Sequence, residues 1–454
     1  MSLLTVLAVV FPGSARAAEH PAQPNIMLIV SDDAGYSDFG FQGCEDIPTP
    51  HLDKLASDGV RFTQGYVPGC VCSPSRAGML SGKNPSRIGH EDNLSDRSLG
   101  VDPATELLPA RLRKLGYHTG ALGKWHLGWA DDYKPWKRGF DEFYGFLGGG
   151  SEYVQKESKP IPMVRNGEPA GETGYMTTAL GREAVDFITR QKGRPWFLYL
   201  AFNAVHSPMQ SSPGSEDAIP NIKDKKRRTL AAMTASLDDA AGRVLAALES
   251  TGQKENTLVV FINDNGGATY SAFHNAPLRG HKGTLFEGGV RVPFLIRWPG
   301  VLPAGKTYDF PAGGLDLLPT FLAAAGGDES LWKDSDGTNL IPYLTGKKSA
   351  PPHERLFWRF NVVASVREGD WKLIRIKDHD PLLFDLAADP SEKNNIADAR
   401  PEKTRNLLAA IAAWEKDFPG QRWHEGDYWI KIHYQDHLKP PVYLGPDKPR
   451  TPLR

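Results

Sequence analysis

The sequence predicts an α/β fold: a large mixed sheet with helices on both faces, followed by a smaller antiparallel sheet with a C-terminal helix. Three observations support it. Short, continuous apolar runs end in polar residues, longer segments with helical periodicity separate them, and the pattern changes to short strand-like runs after about residue 350. Continuous apolar strands are buried on both faces, which is typical of a sheet covered by helices.

The individual elements follow from periodicity and turn residues. Buried strands are predicted at 25–31, 196–202, 257–262 and 292–298, and helices at 51–58, 106–115, 177–191, 228–249 and 315–325. Beyond a Ser-Ala-Pro-Pro linker at 349–352, strands are predicted at 356–360, 364–367, 371–376 and 382–385, with a helix at 402–417. The Pro- and aromatic-rich end of the chain is expected to wrap the surface.

Composition excludes several classes of protein. The 454 residues carry 53 Lys and Arg against 54 Asp and Glu, a formal net charge of −1. A nucleic-acid-binding module usually has a strong basic excess, so no nucleic-acid partner is expected. The hydrophobic share of 40% is ordinary for a folded protein, and three cysteines cannot build a disulfide framework.

The N-terminus predicts export. An apolar run at 3–11 is followed by Ala15-Arg16-Ala17, an Ala-x-Ala cleavage pattern. We interpret residues 1–18 as a signal peptide of a periplasmic or secreted protein, although no basic residue precedes the run and a disordered tail is the alternative. No later segment is apolar for long enough to predict a membrane span. Residues 19–350 are then the main domain and 351–454 a C-terminal subdomain.

Oxygen-bearing side chains follow two of the predicted strands. Asp32 and Asp33 end the first strand, and Asp264 and Asn265 end the third. Ligands collect at the carboxyl ends of strands in open α/β sheets, and carboxylates with a carboxamide suit Ca²⁺ or Mg²⁺. Each pair taken alone is equally compatible with a helix cap or a turn.

Cys72-Ser73-Pro74-Ser75-Arg76 is the most specific segment of the chain. We expect Cys72 in a loop just before a helix. A cysteine near an arginine and a helix start could be an activated thiolate, whereas a lone cysteine is usually a small buried apolar residue. The residues alone leave both readings open.

Six motifs in order make the chain resemble the formylglycine-dependent sulfatases of the alkaline-phosphatase-like superfamily. The string CSPSRAGMLSGK resembles the sulfatase signature, with a Leu-Ser-Gly-Lys end as a mild departure. The others are PNIMLIVSDDAGYSDFG, IPTPHLDKLASDGVRFTQGYV, GYHTGALGKWHLG, FINDNGG and LRGHKGTLFEGGVRVP, and GDWKLI and LFDLAADPSEKNN resemble the family's C-terminal subdomain. Strings such as GHEDN suggest the subgroup of N-acetylgalactosamine-6-sulfatase-like and bacterial carbohydrate sulfatases.

The resemblance implies a site. It assigns calcium to Asp32, Asp33, Asp264 and Asn265, with further contact from position 72, where Cys72 is oxidised to formylglycine by a maturation enzyme. It assigns Arg76 to holding the formylglycine and the metal cluster, and sulfate contacts to Lys124, His126 and Lys282. His206 lies near the leaving group as the expected general acid, with His126 as the expected base.

The implied activity is hydrolysis of sulfate monoesters. One hydroxyl of a hydrated aldehyde attacks sulfur, and the other lets the aldehyde re-form as sulfate leaves. A sulfated galactan or glycosaminoglycan is the expected substrate. The alternatives are an arylsulfatase, a phosphomonoester or phosphonate hydrolase of the same superfamily, or an inactive relative that binds sulfated glycans.

Further candidates for sugar contact rest on weaker signals. His281, Arg279, His274 and His90 lie near these motifs, together with Asn93. Trp129, Trp136 and Trp358 could stack on sugars, whereas Trp125 is expected in the core. A Cys44–Cys70 disulfide is an open possibility in an oxidising compartment.

Overall fold

The computed structural model describes residues 23–154, 163–171 and 174–440. The predicted signal peptide lies outside these residues. In the first part of the chain the strands are β1 (Asn25–Ser31), β2 (Val60–Phe62), β3 (Gly65–Tyr66), β4 (His118–Lys124), β5 (Glu142–Phe146), β6 (Val164–Arg165), β7 (Glu168–Pro169), β8 (Trp196–Ala201), β9 (Thr257–Asn263), β10 (Phe294–Arg297), β11 (Lys306–Tyr308) and β12 (Ala312–Gly313).

Ten of these strands form one mixed sheet in the order β11-β2-β10-β9-β1-β8-β4-β5-β6-β7, and β12 pairs with β3 in a small second sheet. The five central strands, β9 to β5 in this order, run parallel, whereas β10 is antiparallel to both of its neighbours. The predicted mixed sheet is therefore confirmed. The carboxyl ends of β9, β1, β8 and β4 meet at one edge.

Helices cover both faces of this sheet. They are α1 (Pro50–Ser57), α2 (Cys72–Ser81), α3 (Leu108–Lys114), α4 (Met176–Arg190), α5 (Lys225–Ser250), α6 (Glu287–Val290), α7 (Leu317–Ala324) and α8 (Ile341–Leu344). Alternate residues of β1 enter two cores: Leu28 packs in the one that includes α2, α3 and α7, and Ile29 in the one that includes α1, α4 and α5. Since β1 is buried on both sides, every residue in it is apolar or polar without charge.

The C-terminal part is a separate antiparallel sheet in the order β13 (Arg355–Phe360), β14 (Val363–Glu368), β15 (Trp371–Ile376) and β16 (Leu382–Asp385). Helix α9 (Pro401–Glu415) covers one face, where Leu407 and Ile411 pack on Val366 and Leu373. This confirms the predicted smaller sheet with its helix. A further helix, α10 (Asp427–Leu438), follows where the sequence predicted a surface wrap.

The junction between the two sheets is ionic as well as apolar. The Lys372 ammonium of β15 donates to Glu287 at 2.8 Å and lies 3.1 Å from a carboxylate oxygen of Glu392, and all three side chains are buried. Burial raises the pKa of Glu392 above its usual range although Lys372 opposes the shift. In the part of the chain that the structure describes, no helix is long and apolar enough to cross a membrane.

Candidate active site

The two acidic pairs predicted from the sequence meet at the sheet edge. β1 and β9 are parallel neighbours with Ser31 opposite Asn263, so the residues that follow both strands leave the sheet side by side. One ligand atom from each of Asp32, Asp33, Asp264 and Cys72 lies within 4.8 Å of the others. The register between β1 and β9 therefore brings the residues that follow the two strands together.

Cys72 begins helix α2, and the expectation that it lies in a loop is wrong. The helix spans Cys72–Ser81 and all ten of its residues are buried. Pro74 does not prevent this start, because a proline in the first turn removes an N–H that has no partner within the helix. The Cys72 thiol donates to Asp32 at 3.6 Å and accepts from Lys282 Nζ at 3.2 Å. Burial raises the pKa of this thiol, which favours the neutral form over a thiolate.

Arg76 lies one helical turn beyond Cys72 and points at the acidic cluster. Its Nε and Nη2 donate to one oxygen of Asp264 at 3.0 and 2.8 Å, and Nη1 donates to Tyr199 Oη at 3.2 Å and to the Lys124 carbonyl at 3.3 Å. The guanidinium has no exposed surface. A planar, always charged group fixed by four hydrogen bonds to three neighbours can hold the cluster in one geometry.

Two lysines complete the charge balance. Lys124, at the end of β4, donates to Asp32 at 2.6 Å, and Lys282 donates to Asp33 at 2.8 Å. Burial disfavours ionised Asp33, but Lys282 and the neighbouring cations hold the pKa of its carboxyl well below the usual range. Three carboxylates thus face three cations, and a divalent cation bound among the carboxylates would leave an excess of positive charge for an anion.

The residues present fit a hard metal ion. Asn265 donates through Nδ2 to Asp33 at 2.6 Å, but its buried Oδ1 has no hydrogen-bond partner. An amide oxygen left unpaired beside three carboxylates is a donor set that suits Ca²⁺, and such orphaned buried atoms are rare without a ligand.

Two histidines, His126 and His206, line the cavity above this cluster. His206 Nε2 lies 3.6 Å from Asp33 Oδ2, while its Nδ1 bonds the Ser207 carbonyl oxygen at 2.7 Å. Burial lowers the pKa of both rings, that of His206 to about 3. The backbone at Gly149 lies so close to the His126 ring that a Cβ there would meet Nε2 at 2.6 Å, so glycine is required to seat the histidine.

Backbone strain coincides with these residues. Asp33 has φ of 62° and His126 has φ of 57°, in the left-handed region that only a few per cent of non-glycine residues adopt, with Asn, Asp and His the most frequent among them. Such conformations persist only where the surrounding structure enforces them, and they concentrate at functional sites.

Cys72 and Lys282, which contact this cluster, line a cavity of about 620 Å³. His281 and Asn93, two of the predicted sugar contacts, line it. Tyr270 also lines it and donates a hydrogen bond to Asp33; its position six residues beyond Asp264 on the same loop is the only signal that could have found it. Five further lining residues, between Glu425 and Asp436, come from the C-terminal segment, where sequence reasoning predicted no function.

Other predicted residues lie outside the lining of this cavity. His90 is fully buried against Ser73 and Trp423, and Arg279 is buried with its guanidinium on the Phe286 ring. His274 contributes its backbone to the turn around Asp38. Their contact with sugar is a prediction that this geometry does not support.

The remaining predicted residues pack or pair elsewhere. Trp125 is in the core as predicted, and the Trp358 indole donates to the Val67 carbonyl while its ring is buried. Trp129 stacks with Arg97. All three cysteines are free, so the Cys44–Cys70 pairing is absent: the Cys44 sulfur lies instead between Arg227 and Asp46.

A buried cationic pocket built on a carboxylate cluster, at the carboxyl edge of a doubly covered mixed sheet, defines a hydrolase of anionic esters. Comparison with known proteins gives the particular family. The sulfatase family profile matches residues 24–327, and that of the N-sulphoglucosamine sulphohydrolase C-terminal region matches residues 281–413. The chain belongs to the sulfatase family and is a sulfuric ester hydrolase.

Individual relatives agree. Human N-acetylgalactosamine-6-sulfatase is 33% identical over 443 residues, which covers 85% of this chain and 84% of the relative. Bovine arylsulfatase A is 33% identical over 474 residues and 91% of each chain. Among solved structures, that of Ps i-CgsB in complex with k-i-k-neocarrahexaose has a TM-score of 0.85 and 37% identity, covering 92% of this chain and 98% of that one.

Proposed function

We propose that this sulfatase removes sulfate from a sulfated galactan, with formylglycine at position 72 as the nucleophile and calcium as the metal. The observation that carries the proposal is the position of Cys72, which begins a buried helix beside three carboxylates and Lys282. The galactan is favoured because Ps i-CgsB, which is similar along nearly its whole length, was crystallised with a neocarrahexaose.

Each group has a role that follows from its contacts. Asp32, Asp33, Asp264 and Asn265 would hold calcium, which would supply positive charge to the sulfate oxygens. The hydrated aldehyde of formylglycine supplies the attacking oxygen. Lys124 and Lys282 add positive charge where the sulfate sits, and Arg76 keeps the cluster in register with helix α2.

Proton transfer is assigned to the histidines. A sugar alcohol is a poor leaving group, so its oxygen must gain a proton as the bond to sulfur breaks. We assign that proton to His206, whose ring lines the cavity and whose lowered pKa the negative charge of a bound sulfate ester would raise, with Lys282 assisting, and the return step to His126 as base. The proposal also includes the predicted export signal at 1–18 and a periplasmic or secreted location, because a polymeric galactan is met outside the cytoplasm. The division of the chain into two domains at residue 350 is part of the same proposal.

The test of the nucleophile is a mass measurement. Trypsin releases residues 62–76, which contain Cys70 and Cys72. In protein made with a formylglycine-generating enzyme, we expect a loss of about 18 Da at Cys72, together with one alkylated thiol at Cys70. Two alkylated thiols in that peptide would show an unmodified Cys72 and overturn the proposed nucleophile.

The test of the reaction compares substrates. The matured protein should release sulfate from a galactan oligosaccharide and from 4-nitrophenyl sulfate, and should hydrolyse 4-nitrophenyl phosphate far more slowly. Cys72→Ala should abolish both sulfatase activities, while Cys70→Ala, two residues away, should retain them. Faster phosphate hydrolysis would favour the phosphatase alternative, and binding without hydrolysis would favour the inactive relative.

A further inference from the structure

The C-terminal segment forms one wall of the active-site cavity. Glu425 lines the same cavity as Cys72, and so do four residues of helix α10: Trp429, Ile432, His433 and Asp436. They lie more than 350 positions beyond Cys72 in the sequence. This wall, defined here as residues 425–436, has no part in the catalytic roles assigned above.

The wall is anchored at both ends to segments that already belong to the site. At its start, the buried Trp423 indole donates to the Asn93 carbonyl at 2.9 Å. At its far end, His437 Nε2 accepts from the Leu285 amide at 2.8 Å, three residues beyond Lys282. Because both anchors are hydrogen bonds to backbone or from backbone, the wall has a fixed position over the cavity.

The wall presents an aromatic face. Trp429 is 42% exposed, in contrast to Trp423 at 7%. It is one of six large apolar side chains that are exposed in the described part of the chain, and Tyr270, which lines the same cavity from the loop after β9, is another. An indole left open at the mouth of a polar cavity is suited to the apolar face of a pyranose ring.

The charge of the wall is opposite to that of Lys282. Lys282, which donates to Asp33 and to Cys72, lines the cavity beside the carboxylate cluster, whereas Glu425 and Asp436 line it from the C-terminal segment. The amide of Asn93 donates to Glu425 at 3.2 Å, and Lys439 donates to Asp436 at 2.6 Å. A carboxylate accepts hydrogen bonds from hydroxyl groups and repels a second sulfate.

We propose that this wall selects the sugar unit that carries the scissile sulfate, an inference that rests on the function proposed above. Trp429 packs against the face of the pyranose ring, and Glu425 accepts a hydrogen bond from a neighbouring free hydroxyl. The site then prefers a galactose unit with one sulfate to a unit whose adjacent hydroxyl is also sulfated.

Kinetics on a substrate pair tests the wall. Trp429→Ala should lower the ratio of kcat/KM for a monosulfated galactan oligosaccharide to that for 4-nitrophenyl sulfate by about 10-fold or more, since tenfold corresponds to about 1.4 kcal/mol. Tyr428→Ala is the matched control: Tyr428 precedes Trp429, is 68% exposed and does not line the cavity. An unchanged ratio in Trp429→Ala would overturn the role of the indole.

A second substitution tests the charge. Glu425→Gln keeps an oxygen for Asn93 and removes the negative charge, so it should raise the relative use of a disulfated galactose unit by about 5-fold or more. Asp427→Asn, which removes a nearby exposed carboxylate outside the cavity lining, should leave the preference as it is. The same preference in Glu425→Gln as in the wild type would overturn the assignment of Glu425.

Binding separates this inference from the proposed reaction. Calorimetric titration of Cys72→Ala protein with the same oligosaccharide measures the wall without turnover. One outcome is that the matured wild type hydrolyses no sulfate ester and still binds the oligosaccharide. If Trp429→Ala then weakens that binding at least about 10-fold, the proposed role of the wall is supported and the proposed hydrolysis is rejected. If Trp429→Ala binds the oligosaccharide as tightly as the Cys72→Ala protein, the proposed role of the wall is rejected, whether or not the protein hydrolyses sulfate esters.

Discussion

Lys372 of the C-terminal sheet donates to Glu287 of helix α6 at 2.8 Å with neither side chain exposed. Glu287 lies five residues beyond Lys282, so this ion pair connects the second sheet to the segment that supplies an active-site cation. The Glu392 carboxylate also contacts the Lys372 ammonium, which therefore pairs with two carboxylates. The pair is positioned to hold the two parts of the protein together.

Lys372→Met should destabilise the protein by about 3–5 kcal/mol, because it leaves buried Glu392 without its cation and buried Glu287 with only the longer cationic contact to Arg291 at 3.4 Å. Chemical denaturation with a fluorescence readout measures the change. Lys377→Met, an exposed lysine at the end of the same strand, is the matched control and should stay within about 0.5 kcal/mol of the wild type. Equal midpoints for the two variants would contradict a stabilising role for the junction.

The His353–Asp316 pair should make stability depend on pH. The His353 ring lies 2.7 Å from an Asp316 oxygen. Burial opposes protonation of the ring, but Asp316 more than offsets this and raises the pKa of His353 above its usual value. A raised folded-state pKa stabilises the protein fully below the unfolded value of about 6.5, and that stabilisation is lost as pH rises through the folded-state pKa.

We therefore expect the melting temperature to fall as pH rises from about 6.5 through the raised folded-state pKa of His353, and His353→Gln to flatten that slope. Differential scanning calorimetry across this range checks it. Because Asp316 also accepts from the Gly313 and Thr338 amides, the variant should still fold, with a loss of about 1–3 kcal/mol at pH 6. A slope that His353→Gln leaves intact would assign the pH dependence to another group.

His206→Ala should affect substrates according to their leaving groups. Hydrolysis of a sugar sulfate needs a proton on the departing oxygen and should fall by about 10²–10⁴-fold, whereas 4-nitrophenyl sulfate, whose leaving group is already stable as an anion, should lose much less. Steady-state kinetics on both substrates measures the difference. His379→Ala, on the exposed rim of the second sheet, is the control. Equal losses on both substrates would indicate a positioning role instead.

Calcium should stabilise the protein through Asn265. At about 100 times the dissociation constant, a single bound ion adds about 2.7 kcal/mol. After dialysis against a chelator, we expect calcium to restore the melting temperature of the wild type, and to do so much less in Asn265→Ala. Asn394→Ala, which changes an exposed asparagine far along the chain, should respond like the wild type. Calorimetric titration gives the affinity directly, and equal affinities in the two variants would exclude Asn265 as a ligand.

The central strands were predictable because burial on both faces demands an unbroken apolar run. The prediction for 25–31 coincides with β1, and that for 257–262 differs from β9 by one residue. The convergence of the two acidic pairs then follows from the parallel pairing of these strands. The residues of these two strands and those that directly follow them were therefore sufficient to predict the carboxylate cluster.

Strand β4 was not predicted, because its sequence lacks the unbroken apolar run that identified β1, β8 and β9. Its sequence, HTGALGK, contains two glycines and few apolar residues, although it pairs with β8 in the middle of the sheet. At Gly120 a Cβ would meet the Phe187 ring at 2.5 Å, so the packing uses a large side chain from α4 in place of one from the strand. Because the apolar side chain that packs there comes from α4, the sequence of β4 itself does not show that the strand is buried.

Helix α10 was missed because much of its surface faces a polar cavity or solvent. His437 is its only fully buried side chain, so its sequence lacks the periodic apolar stripe that identifies a helix packed on a core. The wall that it forms depends on contacts between segments hundreds of residues apart, and these contacts leave no pattern in one sequence.

The burial of Cys72 has a consequence for biosynthesis. In the finished fold Cys72 is 1% exposed, and the residues of the wall that line the same cavity lie more than 350 positions further along the chain. Any enzyme that alters the sulfur needs residues 72–76 as extended chain, because a helix with ten buried residues cannot enter another protein's cleft. Chemistry at Cys72 would therefore have to finish before helix α2 and the wall pack around it.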